Sequence, residues 1–146
     1  MNYIYCDASI DHNHKLGTYC IVVVEAGKQP RWFVEDCDGL SSVLTETRAL
    51  LRAVREAQDL YARTGRMSTI MSDCVAAIES VGKTLSQTPY VTLRHIKAHQ
   101  IESRSKPLGV MTNDIRKQNW ADKEAKRILR KRIDNLNTSV HTEEVS

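Results

Sequence analysis

A chain of 146 residues, 41% of them apolar, can build one hydrophobic core and is too short for two domains of ordinary size. Its net charge of +3 and pI near 8.7 are too mild to declare a nucleic-acid partner, which would need the positive charge to be localised. No apolar stretch approaches the ~20 residues of a membrane span, and Met1-Asn2-Tyr3 opens no basic-then-apolar leader, so no membrane and a reduced, cytoplasmic setting are expected.

Tyr3 to Cys6 reads as a short buried strand, and Asp7 follows it. After a polar loop comes Thr18-Tyr19-Cys20-Ile21-Val22-Val23-Val24, the strongest β-branched run in the chain and so its central strand. Gly27 and Pro30 punctuate a turn into Arg31-Trp32-Phe33-Val34, whose looser alternation suits an edge. These three strands are expected to pair antiparallel. Ser41 or Ser42 can cap the helix that follows, with Val43, Leu50, Val54, Ala57 and Tyr61 on one face and Gly65 as its stop.

A fourth strand, Ser68 to Ser72, precedes Asp73, then a helix through Ala76, Ala77, Ile78, Val81 and Leu85, then a fifth strand from Val91 to Ile96. Alternation of strand and helix implies right-handed crossovers and parallel pairing. The expected fold is therefore α/β: a five-stranded mixed sheet, three antiparallel strands then two parallel, flanked by helices. Residues 100–118 have no clean period and read as a long surface loop. A last helix is expected from about Asn119 to Leu136, packing through Trp120, Ala121, Ala125, Ile128, Leu129 and Ile133. Residues 1–136 form one domain in this reading, and the polar segment 137–146 a disordered tail. Cys6, Cys20, Cys37 and Cys74 lack Cys-x-x-Cys or zinc-finger spacing and lie in or beside apolar runs, as buried thiols do.

Four acids are delivered by this scheme to one place. Asp7 and Asp73 follow strands that can lie side by side, Glu46 opens the crossover helix, and Asp122 stands near the start of the last one. Each acid alone has an ordinary explanation, since Asp and Glu favour helix N-termini and turns. Together, carboxylates from separate elements repel and call for hard cations such as Mg²⁺. Such a cluster can hold two ions for phosphodiester hydrolysis.

With those residues in place, the chain resembles ribonuclease H of the common bacterial and eukaryotic type. The resemblance is carried by Tyr5-Cys6-Asp7-Ala8-Ser9, Thr45-Glu46-x-x-Ala49-Leu50, Ser72-Asp73-Cys74, Ile96-Lys97-Ala98-His99 and Asn119-Trp120-Ala121-Asp122-Lys123-Glu124-Ala125, in that order over residues 1 to about 130. It implies an endonuclease that cuts the RNA strand of an RNA–DNA hybrid, with Asp7, Glu46, Asp73 and Asp122 as ligands to two Mg²⁺ or Mn²⁺ ions. His99 matches a mobile histidine that assists proton transfer or product release, and Lys97 and Asn119 fall within the motifs as substrate contacts. The implied enzyme works as a monomer, with a protein partner as a further option.

Three departures distinguish the chain. Positions where relatives carry hybrid-reading amides hold Ser42, Val43 and Val75, so recognition falls to Ser9, Ser41, Ser42 and backbone groups. Only 25 residues separate Asp73 from His99, too few for the extra basic substrate-binding helix that some members use. The stretch from His99 to Asp122 is long, and Arg104, Lys106, Arg116 and Lys117 within it can contact phosphates or simply be solvated. Lys123 to Arg132 carries six cations, a second nucleic-acid face or a soluble helix surface. The competing readings are a nuclease of the same fold acting on DNA or structured RNA, and a module on that fold that binds nucleic acid without cutting it.

Overall fold

The computed structural model describes residues 1–85, 88, 90–96 and 110–145, with side chains of the last segment described over 114–138. Its strands are β1 (Asn2–Asp11), β2 (Leu16–Val24), β3 (Arg31–Asp38), β4 (Ser68–Ser72) and β5 (Val91–His95). Its helices are α1 (Ser42–Thr64), α2 (Val75–Thr84) and α3 (Val110–Val145). The sheet order is β3-β2-β1-β4-β5. β1 pairs antiparallel with β2 and β2 with β3, while β1–β4 and β4–β5 are parallel. The expected five-stranded mixed sheet is therefore the one formed.

Burial explains the elements. β2 is covered on both faces through Thr18–Val23, which its β-branched residues tolerate, whereas the edge strand β3 is only half-buried. Odd and even residues of β1 feed two cores. Ile4 and Cys6 pack with Ile21, Ile70 and the α1 residues Ala49, Leu50, Ala53, Ala57 and Leu60, while Tyr5 packs with Val22, Met71 and the α3 residues Ile115, Ala121 and Ala125. Cys6 and Cys20 are buried free thiols, and Cys37 and Cys74 are half-buried.

Helix α1 is closed at both ends. Ser41, extended at φ −154°, accepts the Leu44 N–H at 3.1 Å, so Ser41 and not Ser42 is the cap. Gly65, left-handed at φ 69°, donates its N–H to the Tyr61 carbonyl at 2.8 Å. Leu50, Val54 and Ala57 face the core as expected, but Val43 and Tyr61 are exposed. The core stripe instead continues through Thr45, Glu46, Ala49, Ala53 and Leu60, and Tyr61 stacks on Tyr90 outside it.

The last helix is the main correction. It begins at Val110, so the second half of the expected 100–118 loop is helical, and its backbone stays helical through Val145, past the boundary at Leu136. The buried positions Ile115, Gln118, Ala121, Ala125 and Leu129 have helical spacing. The buried amide of Gln118 and the flanking charges Asp114, Arg116 and Lys117 broke the apolar pattern on which the loop reading relied. Trp120 packs against Trp32 with ring centroids 4.8 Å apart, placing both tryptophans at the contact between β3 and α3.

Candidate metal centre

β1 connects to β2 on one side and β4 leads to β5 on the other, so the sheet order diverges between the parallel neighbours β1 and β4. Open α/β sheets bind ligands beyond the carboxyl ends of the strands at such a divergence. Tyr5 lies opposite Met71, which brings Asp7 and Asp73, each two residues further on, to that place. Asp7 is within β1 and not after it, because the strand runs on to Asp11. Glu46 reaches the same point from the second turn of α1.

One carboxylate oxygen from each of Asp7, Glu46 and Asp73 lies within 4.8 Å of the other two. The Ala8 N–H donates to both Asp7 Oδ1, at 3.0 Å, and Glu46 Oε1, at 3.2 Å. Asp7 is 3% exposed and Glu46 9%. Glu46 Oε2 is buried without a hydrogen-bond partner among the described residues. Asp122, outside this triad, approaches the Asp7 carboxyl closely enough to raise it. It does so from the middle of α3, with Lys126 Nζ at 3.1 Å, so a helix N-terminus does not account for its position.

The electrostatic cost is high. Burial raises the Asp7 carboxyl far above the usual carboxylate range, and the charges of Glu46 and Asp73 and hydrogen bonds with Asp122 and Glu46 raise it further. Glu46 is raised as well, first by burial and then by Asp73 and Asp122, against the opposing hydrogen bonds from Asp7 and the Ala8 N–H. Oxygen-only donors from separate elements, one buried oxygen unsatisfied and the cluster clinging to protons, fit a hard divalent cation.

Two residues that the sequence reading did not single out hold α3 against β1. Gln118, buried one turn before Asp122, donates from Nε2 to the Cys6 carbonyl at 2.9 Å. Asp114, one turn earlier again, accepts the Tyr5 hydroxyl and lies 4.0 Å from Arg94 Nη1. The i, i+4 series 114, 118, 122 was the available signal, hidden by reading 100–118 as a loop. Further along, Arg132 donates to the Gly17 carbonyl and lies 3.5 Å from Asp36 Oδ1, fixing α3 on β2 and β3.

Of the expected substrate contacts, Ser9 is half-buried on β1, Ser41 uses its hydroxyl as a cap, Ser42 is exposed at the start of α1, Asn119 is half-buried on α3 and Lys123 is exposed there. Lys97, His99, Arg104 and Lys106 lie outside the described residues. The basic stretch of α3 has more acidic company than its composition suggested: Lys126 pairs with Asp122, Arg127 with Glu124 at 2.8 Å, and Arg132 with Asp36.

Among the described residues, no helix is long and apolar enough to cross a membrane. No family model matches the chain, and no curated protein matches it. Among solved structures it is similar to a crystal structure of LC11-RNase H1 in complex with an RNA/DNA hybrid, with TM-score 0.51 and 12% identity over 67% of this chain and 86% of that one. The three converging carboxylates offer oxygen ligands to a divalent cation. The chain has the ribonuclease H-like α/β fold.

Proposed function

We propose that this chain is an endonuclease that hydrolyses the RNA strand of RNA–DNA hybrids with two Mg²⁺ or Mn²⁺ ions. The observation that carries the reading is the convergence of Asp7, Glu46 and Asp73 at the β1–β4 divergence. These four carboxylates would hold the ions. When bound, the ions supply charge neutralisation at the phosphodiester and a water acidified toward neutrality.

The protein's own part is to keep that cluster assembled and nearly dry. The Ala8 N–H fixes the facing oxygens of Asp7 and Glu46, and the two carboxyls would give up their protons to hold cations. His99 would carry a proton at the leaving oxygen, an assignment resting on its sequence motif. Ser9, Ser42, Asn119 and Lys123 would contact the substrate from β1, α1 and α3, and Lys97, Arg104 and Lys106 from the segment between β5 and α3. Ser41 would contribute through its backbone, since its hydroxyl is committed to the cap. Residues 1–136 would act as a monomeric catalytic unit in the cytoplasm, open to a protein partner.

Support for the hybrid comes from the ordered motifs and from the complex in which the similar structure was solved. The absence of amides at Ser42, Val43 and Val75 favours a second reading, a nuclease for DNA or structured RNA. A panel of end-labelled hybrid, single-stranded RNA, duplex RNA and duplex DNA, each with Mg²⁺ or Mn²⁺, separates them. Cutting of RNA in the hybrid alone is the expected outcome; equal or better cutting of another substrate would move the assignment to that substrate, and no cutting at all to a binding module.

A further inference from the structure

Helix α3 has one side packed on the sheet through Ile115, Ala121, Ala125 and Leu129, and its opposite side is basic. Lys123, Lys126, Arg127, Arg130 and Lys131 surround a shallow surface hollow there, with Asp134 at its end. At 100° per residue, Lys123, Lys126, Arg127 and Arg130 fall within a single stripe, and Lys131 borders it. Lys126 and Arg127 are engaged by Asp122 and Glu124. Lys123, Arg130 and Lys131 are exposed and have no acidic partner among the described residues.

The stripe begins at the carboxylate cluster. Lys126 touches Asp122, one turn along α3 from Gln118, whose amide holds the Cys6 carbonyl next to Asp7, so the first cation row lies close to the acids. From Lys123 to Lys131 it runs about 12 Å, a length over which one strand of a duplex presents three to four phosphates. Among the described residues of α3, Leu136 is the single exposed large apolar side chain and the others pack on the sheet, which argues against an anionic membrane surface as the target.

We propose that this stripe is the surface on which the chain grips its substrate, taking the sugar–phosphate backbone of the nucleic acid whose scissile bond lies at the carboxylates. It assigns to α3 the phosphate-binding task that a separate basic helix would otherwise perform. The proposal rests on the nuclease reading for its choice of ligand, but backbone binding can be measured without cleavage.

The test is fluorescence anisotropy of a labelled RNA–DNA hybrid from 50 to 200 mM salt, comparing the full chain with K123Q/R130Q/K131Q and with a control triple K15Q/K28Q/R63Q, all in EDTA. Three lost phosphate contacts should flatten the slope of log K against log salt by about 2.7, so wild-type affinity falls about 40-fold more than the variant's over that range. The control should keep the wild-type slope, and unchanged melting temperatures certify both folds. An unchanged slope in the α3 variant, an equal loss in the control, or wild-type binding to anionic vesicles but not to the hybrid would overturn the proposal. A flattened slope with no cleavage by the wild type in Mg²⁺ or Mn²⁺ would uphold the stripe while sinking the nuclease reading.

Discussion

The side-chain amide of Gln118 donates to the carbonyl of Cys6, 112 residues away in sequence, across a fully buried contact of 2.9 Å. Cys6 precedes Asp7, and Gln118 lies one turn before Asp122, so this bond clamps together the two elements whose carboxyls meet. Gln118→Ala should cost about 1–3 kcal/mol in urea unfolding, because a buried carbonyl loses its partner. It should also weaken Mn²⁺ binding by calorimetry, since Asp122 is no longer held over β1. Loss of stability with unchanged metal affinity would reduce Gln118 to a packing residue.

The cluster makes the metal-free protein sensitive to pH in an unusual direction. Asp7 and Glu46 have native pKa values above their unfolded ones, so the folded chain holds protons that the unfolded chain has released. Their contribution to stability is fully present below the ordinary carboxylate range and declines as pH rises through the raised native values. Melting temperatures in EDTA should therefore drop between about pH 5 and pH 8, while Mn²⁺ should stabilise more at the higher pH.

Removing one carboxyl from the cluster should help the fold and harm the site. Asp7→Asn should raise metal-free stability by about 0.5–2 kcal/mol, the usual scale for relieving a strained functional site, and abolish the metal-induced shift in melting temperature. A destabilised Asp7→Asn variant that still responds to Mn²⁺ would contradict the account of the cluster.

Arg132 anchors the far half of α3 through the Gly17 carbonyl and Asp36. Arg132→Leu should cost about 1.5–3 kcal/mol, the scale of a charged hydrogen bond, in the same urea measurement. Hydrogen exchange should quicken along α3 beyond residue 128 and leave α1 untouched.

Ser41 illustrates where the sequence was ambiguous. As a residue beside the helix glutamate it was a candidate for touching substrate, yet its hydroxyl accepts the Leu44 N–H. Ser41→Ala should lower stability by about 1 kcal/mol, and Ser41→Asp, which can cap, should restore it.

The strand order and the meeting of Asp7, Glu46 and Asp73 were legible because each acid adjoins an apolar run whose period identifies its element. The start of α3 was not, because Asp114 and Gln118 spend polar side chains on Tyr5 and on the Cys6 carbonyl, and such interior polar contacts mimic a loop pattern. Ion pairing was equally hidden: composition showed a basic helix, but only geometry joins Lys126 to Asp122 and Arg132 to Asp36. Val43 and Tyr61 fit a helical stripe on paper, but the stripe that faces the sheet runs through small residues, Ala49, Ala53 and Ala57, which let α1 approach closely.

The central claim is that the carboxylate cluster cuts a phosphodiester with the help of divalent cations. The most direct measurement is single-turnover cleavage of an internally labelled RNA–DNA hybrid by the wild-type chain and by Asp73→Asn, with Mn²⁺ and with EDTA. The account predicts cleavage only with metal, slowed about a thousandfold or more in the variant, the loss of several kcal/mol of charge stabilisation. Cleavage that persists in EDTA, or at the wild-type rate in Asp73→Asn, would contradict it.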